Sequence, residues 1–345
     1  MLSDLVKKGL YGSGLLGLYH RLRNRRTLTV IMFHRVLDRS DPRWGSCDPD
    51  YTLEAGLLER CLAFFRRHYH VVPVDEVLAA QRGERRLPSR ALLVTFDDGW
   101  ADNVDFALPR LQQARLPGLL FVAADVVGRR LAFFQECLVG AWRRGTLSVS
   151  DLAAALPGAQ PVAEGIGGLR RAIAGFEALD DDDRERRLAP FATAMDDGLR
   201  HMATADELRA LERGGIAIGL HGKTHTPMTR ARDLDAELGG ARAAVAPHLQ
   251  RGAPTTMSFP HGRYDAAIAQ RAREAGYELV FTSDPVLNPV DPRPGWLLGR
   301  VGFEQSAIVD ADGHFRADRL ALLLFRARTE CLAAMDRPTR LRRPR

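Results

Sequence analysis

Two adjacent aspartates, Asp97 and Asp98, end the apolar run "ALLVTF" (91–96). Two histidines four residues apart, His221 and His225, follow a second such run, "IAIGL" (216–220). Ionised carboxylates are costly to remove from water, so a buried strand that ends in two of them needs a reason. Two ordinary reasons are a solvated Asp-Gly turn and a cap on the next helix. A divalent metal site is the third. Two imidazoles and one carboxylate supply two nitrogens and one oxygen, and they leave positions open for water and substrate, as catalytic sites do. Neighbouring side chains diverge, so the other aspartate is better placed to take a proton from water as general base than to share the ion. The cation would keep both carboxylates ionised and polarise a carbonyl. His34 after "LTVIMF" (28–33) and His261 after "TTMSFP" (255–260) also stand at the ends of strand-like runs, whereas Asp284, before Pro285, reads as a turn residue.

These groups meet only if their strands run the same way. The other strand-like runs are "VVPV" (71–74), "GLLFVA" (118–123), "ELVFTS" (278–283) and "WLLGRVGF" (296–303). Helix-like segments lie between most runs, at 53–69, 101–115, 204–214 and 264–276. Thr204 with Glu207 makes a capping-box pattern, and Gly276 is placed as a C-terminal cap. Such alternation implies parallel strands joined by crossover helices, and strands of continuous apolarity imply burial on both faces. Seven or eight units favour a (β/α) barrel, whose site is built at the C-terminal ends of the strands. The interval 128–203 has no strand-like run, contains "LDDDDRERR" (179–187), and reads as a helical insertion on one barrel face.

The net charge of +6 over 345 residues is unevenly placed. Residues 1–26 carry six Lys/Arg against one Asp, and residues 337–345 carry five Arg, so the body from 27 to 336 sums to about −4. That body is no basic nucleic-acid surface, and neither zinc-finger spacing nor an aromatic ribonucleoprotein signature is present. The two ends are either simply solvated or suited to anionic lipid headgroups or a partner. Four scattered cysteines without a CxxC suit free thiols in a reducing compartment. No stretch approaches the roughly 18–20 apolar residues of a spanning helix. The start lacks a small-residue cleavage site, and the expectation is a cytoplasmic chain with peripheral membrane contact through a basic amphipathic N-terminal helix.

The motifs resemble those of the polysaccharide deacetylases, carbohydrate esterase family four. "TFDDG" (95–99) resembles the first motif, "HGKTH" (221–225) the second, usually H-(S/T)-x-x-H, and "SFPHGRYD" (258–265) the third, a Pro-aromatic-Gly turn. The resemblance covers about residues 28–303. It implies an α/β fold, a distorted (β/α)7 TIM-like barrel, and leaves the insertion and the tails unmatched; the chain is thus divided into a basic helix at 1–27, the barrel over 28–310 with the helical insertion at about 128–203, and a C-terminal helix with an Arg-rich tail at 311–345. It further implies hydrolysis of N- or O-acetyl groups on a glycan, N-acetyl foremost, with Asp97 as base and Asp98, His221 and His225 as ligands. Zn²⁺ is the expected ion, with Co²⁺, Ni²⁺ and Mn²⁺ also accepted by such donors. The third-motif turn would hold the oxyanion, which places Phe259, Pro260 and His261 at the substrate together with His34 and Arg300. Three positions depart from the pattern: Gly222 for the usual Ser/Thr, Ser258 for an arginine that orients the base, and His261 for the aromatic. Arg300 also stands where a Leu-x-His is usual, so the general acid falls to His261 or His34. Two alternatives remain: a non-catalytic relative that binds a saccharide or partner, and a metal-dependent amidohydrolase of non-sugar substrates. No oligomeric state follows.

Overall fold

The branched and aromatic runs form the centre of the molecule in a computed structural model that describes residues 3–158 and 162–334. Six strands run parallel and side by side: β1 Thr27–Phe33, β2 Ala91–Phe96, β3 Gly118–Val122, β4 Ile216–Leu220, β5 Thr256–Ser258 and β6 Leu279–Phe281. Every residue of β2 and β3 is buried, as expected when helices cover both faces. β7 (Val286–Pro289) turns back antiparallel to β1, β8 (Leu297–Leu298) adds parallel to β6, β9 (Val301–Gly302) pairs with β1, and β10 (Arg328–Thr329) pairs with β7. The fold is therefore α/β with a central, mostly parallel sheet.

Three expectations from the sequence are corrected here. The sheet is not closed into a barrel: its ladder begins at β8 and ends at β10. The expected strand 296–303 is split between β8 and β9, because the Asn288 side chain bonds both N and O of Gly299, at 2.8 and 2.9 Å, and Arg300 N bonds Asp284 O at 2.9 Å. Backbone tied to the β7 turn is withdrawn from the ladder. The run "VVPV" likewise stops early. Only His70–Val71 pairs with β2, and Val74 opens the helix Val74–Gln81 behind Pro73, where proline's fixed φ suits the helix start.

Helices Ala55–His68, Ala205–Arg213 and Ala266–Glu274 occupy the expected connections, and the Thr204–Glu207 capping box is formed in both directions. Between β3 and β4 lie helices Phe134–Arg143, Val149–Ala154, Ile166–Ala178 and Asp181–Leu188, the last capped by Asp180. They pack around Leu138, Leu152, Leu169, Ile173 and Phe176. Buried Arg35, next to β1, ties them to the sheet by bonding Asp102 at 2.9 Å and Glu136 at 2.6 Å. The N-terminal segment is two helices, Asp4–Gly12 and Leu15–Arg23, broken at Ser13–Gly14 rather than continuous. They rest on Ala317–Phe325, where the His20 ring stacks on Phe325 at 4.0 Å. The Arg-rich tail from residue 335 onward lies outside the described residues.

Candidate metal and catalytic site

Asp97 and Asp98 leave the end of β2, and His221 leaves the end of its neighbour but one, β4; parallel strands thus bring both motifs to one rim. The chain turns sharply there. Asp98, His225 and His261 have positive φ of 80°, 68° and 56°, a conformation non-glycine residues seldom adopt and one that gathers at functional sites. Gly99 has φ 90°, and a Cβ on it would lie 2.5 Å from Val122 Cγ2, so the TFDDG turn admits only glycine.

Asp98 Oδ1 lies 3.4 Å from His221 Nε2 and 3.2 Å from His225 Nε2. Donors about 2.0–2.2 Å from a tetrahedral zinc are about 3.4 Å from each other, so the three groups fit one divalent ion. A second observation agrees. The other Asp98 oxygen, Oδ2, accepts the Trp100 indole N–H at 2.9 Å, whereas Oδ1 is buried without a hydrogen-bond partner. A buried carboxylate oxygen without a proton donor is costly, and a cation satisfies it. His221 is turned the right way: its Nδ1 lies 3.0 Å from Ser258 O and 2.6 Å from Ser258 Oγ, which leaves Nε2 toward Asp98. Burial, with Asp97 and Asp98 pulling against it, holds the His221 pKa down at about 4, and the neutral imidazole is the ligand form.

Asp97 stands beside the donors. Its Oδ2 is 4.0 Å from His221 Nε2. Both its oxygens are gripped by buried Arg300, at 2.6 and 2.7 Å. Burial pushes the Asp97 pKa up, and Arg300 with His221 outweighs it, so the carboxyl is held below the usual range.

The Asp98–His221–His225 geometry sits inside a match of this sequence to a known family. The profile of the family described as polysaccharide deacetylase matches residues 84–280, more than half of the chain. The chain belongs to the polysaccharide deacetylase family. No curated protein sequence matches it. Among solved structures, the Streptococcus pyogenes deacetylase PplD in complex with acetate is similar, with TM-score 0.55 and 13% identity over 86% of this chain and 98% of that one. IcaB from Ammonifex degensii gives TM-score 0.54 and 19% identity over 87% and 97%. A polysaccharide deacetylase of Bacillus cereus gives 0.54 and 12% over 86% and 69%. At these identities the likeness is one of fold.

In this deacetylase the remaining candidate residues separate into rim and support. His261 is exposed, its ring 4.6 Å from that of His225. His34 meets Tyr51 edge-on at 5.0 Å and lies near enough to lower the pKa of both aspartates. Arg300, expected at the substrate, is instead fully buried behind Asp97. Phe259 and Pro260 are also buried, with Phe259 stacked on Tyr264 at 4.8 Å and its N–H given to Phe281 O. Arg300 thus supports Asp97, Phe259 and Pro260 are packed within the third-motif turn, and none of the three lines the cavity beside His225. Asp284 holds a turn, accepting from Tyr264 OH at 2.8 Å.

Three useful residues carry no signal in the sequence. Trp100 holds Asp98 while the Arg35 guanidinium covers its ring at 4.4 Å. Phe133 from the helical region stacks on His225 at 4.0 Å. Glu237 accepts from Lys223 N, Thr224 N and Thr224 Oγ1 at 2.7, 3.1 and 2.6 Å. It thereby fixes the second-motif loop, a task a Ser/Thr at 222 would share. Gly222 is at φ 72°, with Glu237 Oε2 3.0 Å from where its Cβ would stand. A cavity of about 660 Å³ opens beside His225 and His261, walled by Phe133, Phe134 and Arg184 from the helical region and by Thr226 and Arg230.

Proposed function

We propose that this polysaccharide deacetylase removes N-acetyl groups with the help of one divalent ion held by Asp98, His221 and His225, and that Asp97 is its base. The observation that carries the reading is the buried, unpartnered Asp98 Oδ1 between two imidazole nitrogens. Two imidazoles and a carboxylate suit Zn²⁺ first, with Co²⁺, Ni²⁺ or Mn²⁺ as substitutes. Such an ion, when bound, eases deprotonation of water and polarises an acyl oxygen. The protein's own groups do the rest. Asp97, oriented by the Arg300 fork, takes the proton of the attacking water at a carboxylate oxygen. The backbone N–H of His261, on the strained third-motif turn, donates to the developing oxyanion, since Phe259 N–H is committed and Pro260 has none. The leaving-group acid falls to the His261 ring or to His34. The cavity walled by Phe133 and Phe134 seats the neighbouring sugars on aromatic surface.

Acetate release from a panel of N-acetylated oligosaccharides, with elemental analysis of the same preparation, tests this. The expected result is about one divalent ion per chain and acetate released from N-acetylated glycans. Stoichiometric metal without acetate from any glycan would favour the saccharide-binding relative. Acetate from small non-sugar amides alone would favour the amidohydrolase.

Trp100 gives a second, quieter test. Trp100→Phe keeps the ring under Arg35 but removes the N–H that orients Asp98. Metal affinity is expected to fall about 10–100-fold, the usual cost of losing a group that orients a ligand. Competition against a chromogenic chelator measures it, and unchanged affinity would make Trp100 a packing residue only.

A further inference from the structure

The second N-terminal helix, Leu15–Arg23, is amphipathic in an inverted sense. Leu16 and His20, with Asn24 just beyond the helix, are spaced by four and form the buried face. Two of those three are polar. The opposite face carries Leu15, Leu18 and Leu22, spaced by three and four, with Tyr19 beside them, and they are 57%, 53%, 73% and 41% exposed. Leu5 on the first helix is 82% exposed. Of nine large hydrophobic side chains exposed among the described residues, six lie between residues 5 and 22. Single exposed leucines need no explanation, but a contiguous stripe marks a surface that is covered in use.

Charge decides what covers it. Asp4, the one acid of residues 1–26, is turned onto the body and shared by Lys7, Arg316 and Arg319. Lys8, Arg21 and Arg25 have no ion pair among the described residues. The chain's own C-terminal tail, with five arginines in residues 337–345, would repel this end. A second copy would set one basic end against another. An anionic lipid surface complements both features, since it takes aliphatic side chains below the headgroups and cations among them.

We propose that the helices Asp4–Gly12 and Leu15–Arg23 seat this protein on the face of a bilayer that contains anionic lipid. Leu5, Leu15, Leu18 and Leu22 enter the acyl boundary, Tyr19 lies at headgroup level, and Lys8, Arg21 and Arg25 meet the phosphates. No helix of the described residues is long and apolar enough to cross a membrane, so the contact is peripheral and reversible.

Flotation of the full chain with phosphatidylcholine vesicles, with and without phosphatidylglycerol, tests the proposal. The chain is expected to float only with phosphatidylglycerol and to be released by salt. Leu18→Gln with Leu22→Gln is expected to weaken partitioning at least about tenfold, and each of Lys8→Ala, Arg21→Ala and Arg25→Ala about fivefold. All these residues are exposed, so acetate release from a soluble oligosaccharide and the circular dichroism spectrum should not change. Partitioning that ignores the leucine pair overturns the proposal. So does a failure to float with phosphatidylglycerol vesicles, or a dimer by light scattering that L18Q/L22Q dissociates.

Discussion

Asp97→Asn is expected to lower kcat for acetate release by about 10²–10⁴-fold, the usual worth of a positioned general base, while the protein keeps its divalent ion. The asparagine has the same shape and can still accept from Arg300 through its one oxygen. It cannot take a proton from water. The geometry separates the two neighbouring aspartates, because the Asp98 oxygen is 3.2 and 3.4 Å from the two imidazole nitrogens whereas Asp97 approaches His221 only to 4.0 Å. Asp98→Asn should therefore fail differently, with metal and turnover lost together. Elemental analysis beside acetate release distinguishes the pair, and metal lost from D97N would make Asp97 a ligand. D97N also leaves a buried guanidinium without its counter-charge, at about 3–5 kcal/mol. The assay belongs well below the variant's unfolding temperature, with circular dichroism on the same sample.

Much of this site was legible because strands buried on both faces leave continuous apolar runs in the sequence. β2 and β4 are unbroken apolar runs, and orienting them in parallel puts Asp97, Asp98 and His221 on one rim without coordinates. The HxxxH spacing then brings His225 along. What escaped was pairing at long range. The guanidinium that orients Asp97 arrives from a residue 203 positions away, inside a run that reads as plain strand. Ser258 shows the converse. It stands where an orienting arginine is usual, and its hydroxyl serves His221 instead. The two departures noted in the sequence compensate one another, which no local pattern reports.

The loop at Gly222 follows the same logic. Loss of a hydroxyl there looks like loss of a hydrogen bond until Glu237, fourteen residues on from Lys223, is seen to accept three. The open ladder was illegible for a related reason. Apolar runs say that strands are buried and leave unsaid whether Gly299 and Arg300 give their backbone groups to a neighbouring strand or to Asn288 and Asp284. The helical region read correctly as strand-free, yet its contribution to the site, Phe133 against His225, has no periodic signature.

Replacing Arg300 is expected to change the sign of a pH dependence. Its fork holds both Asp97 oxygens, and it also donates to Thr282 O at 3.0 Å. With Arg300 present, the folded-state pKa of Asp97 lies below the reference of 3.8. The ionised carboxylate therefore adds stability above that reference, and the contribution is lost as pH falls through the depressed value. In Arg300→Met burial, the largest influence on Asp97, is opposed only by His221 and His34, and the folded pKa is expected to rise above its ordinary value. Asp97 then opposes the fold increasingly as pH climbs through and beyond its unfolded pKa. Denaturant unfolding of metal-free protein should thus show R300M about 3–5 kcal/mol less stable near neutral pH, with the gap closing toward acid. The acid limb of kcat/KM should move to higher pH in step, because the base is ionised over a narrower range. Arg300→Lys retains the charge without the fork and should recover part of the limb. Asp97→Asn combined with Arg300→Met should lose less stability than the two single changes added together, since no buried charge is left alone. An R300M enzyme with the native acid limb and an additive double variant would reduce Arg300 to packing and leave Asp97 to be oriented by something else.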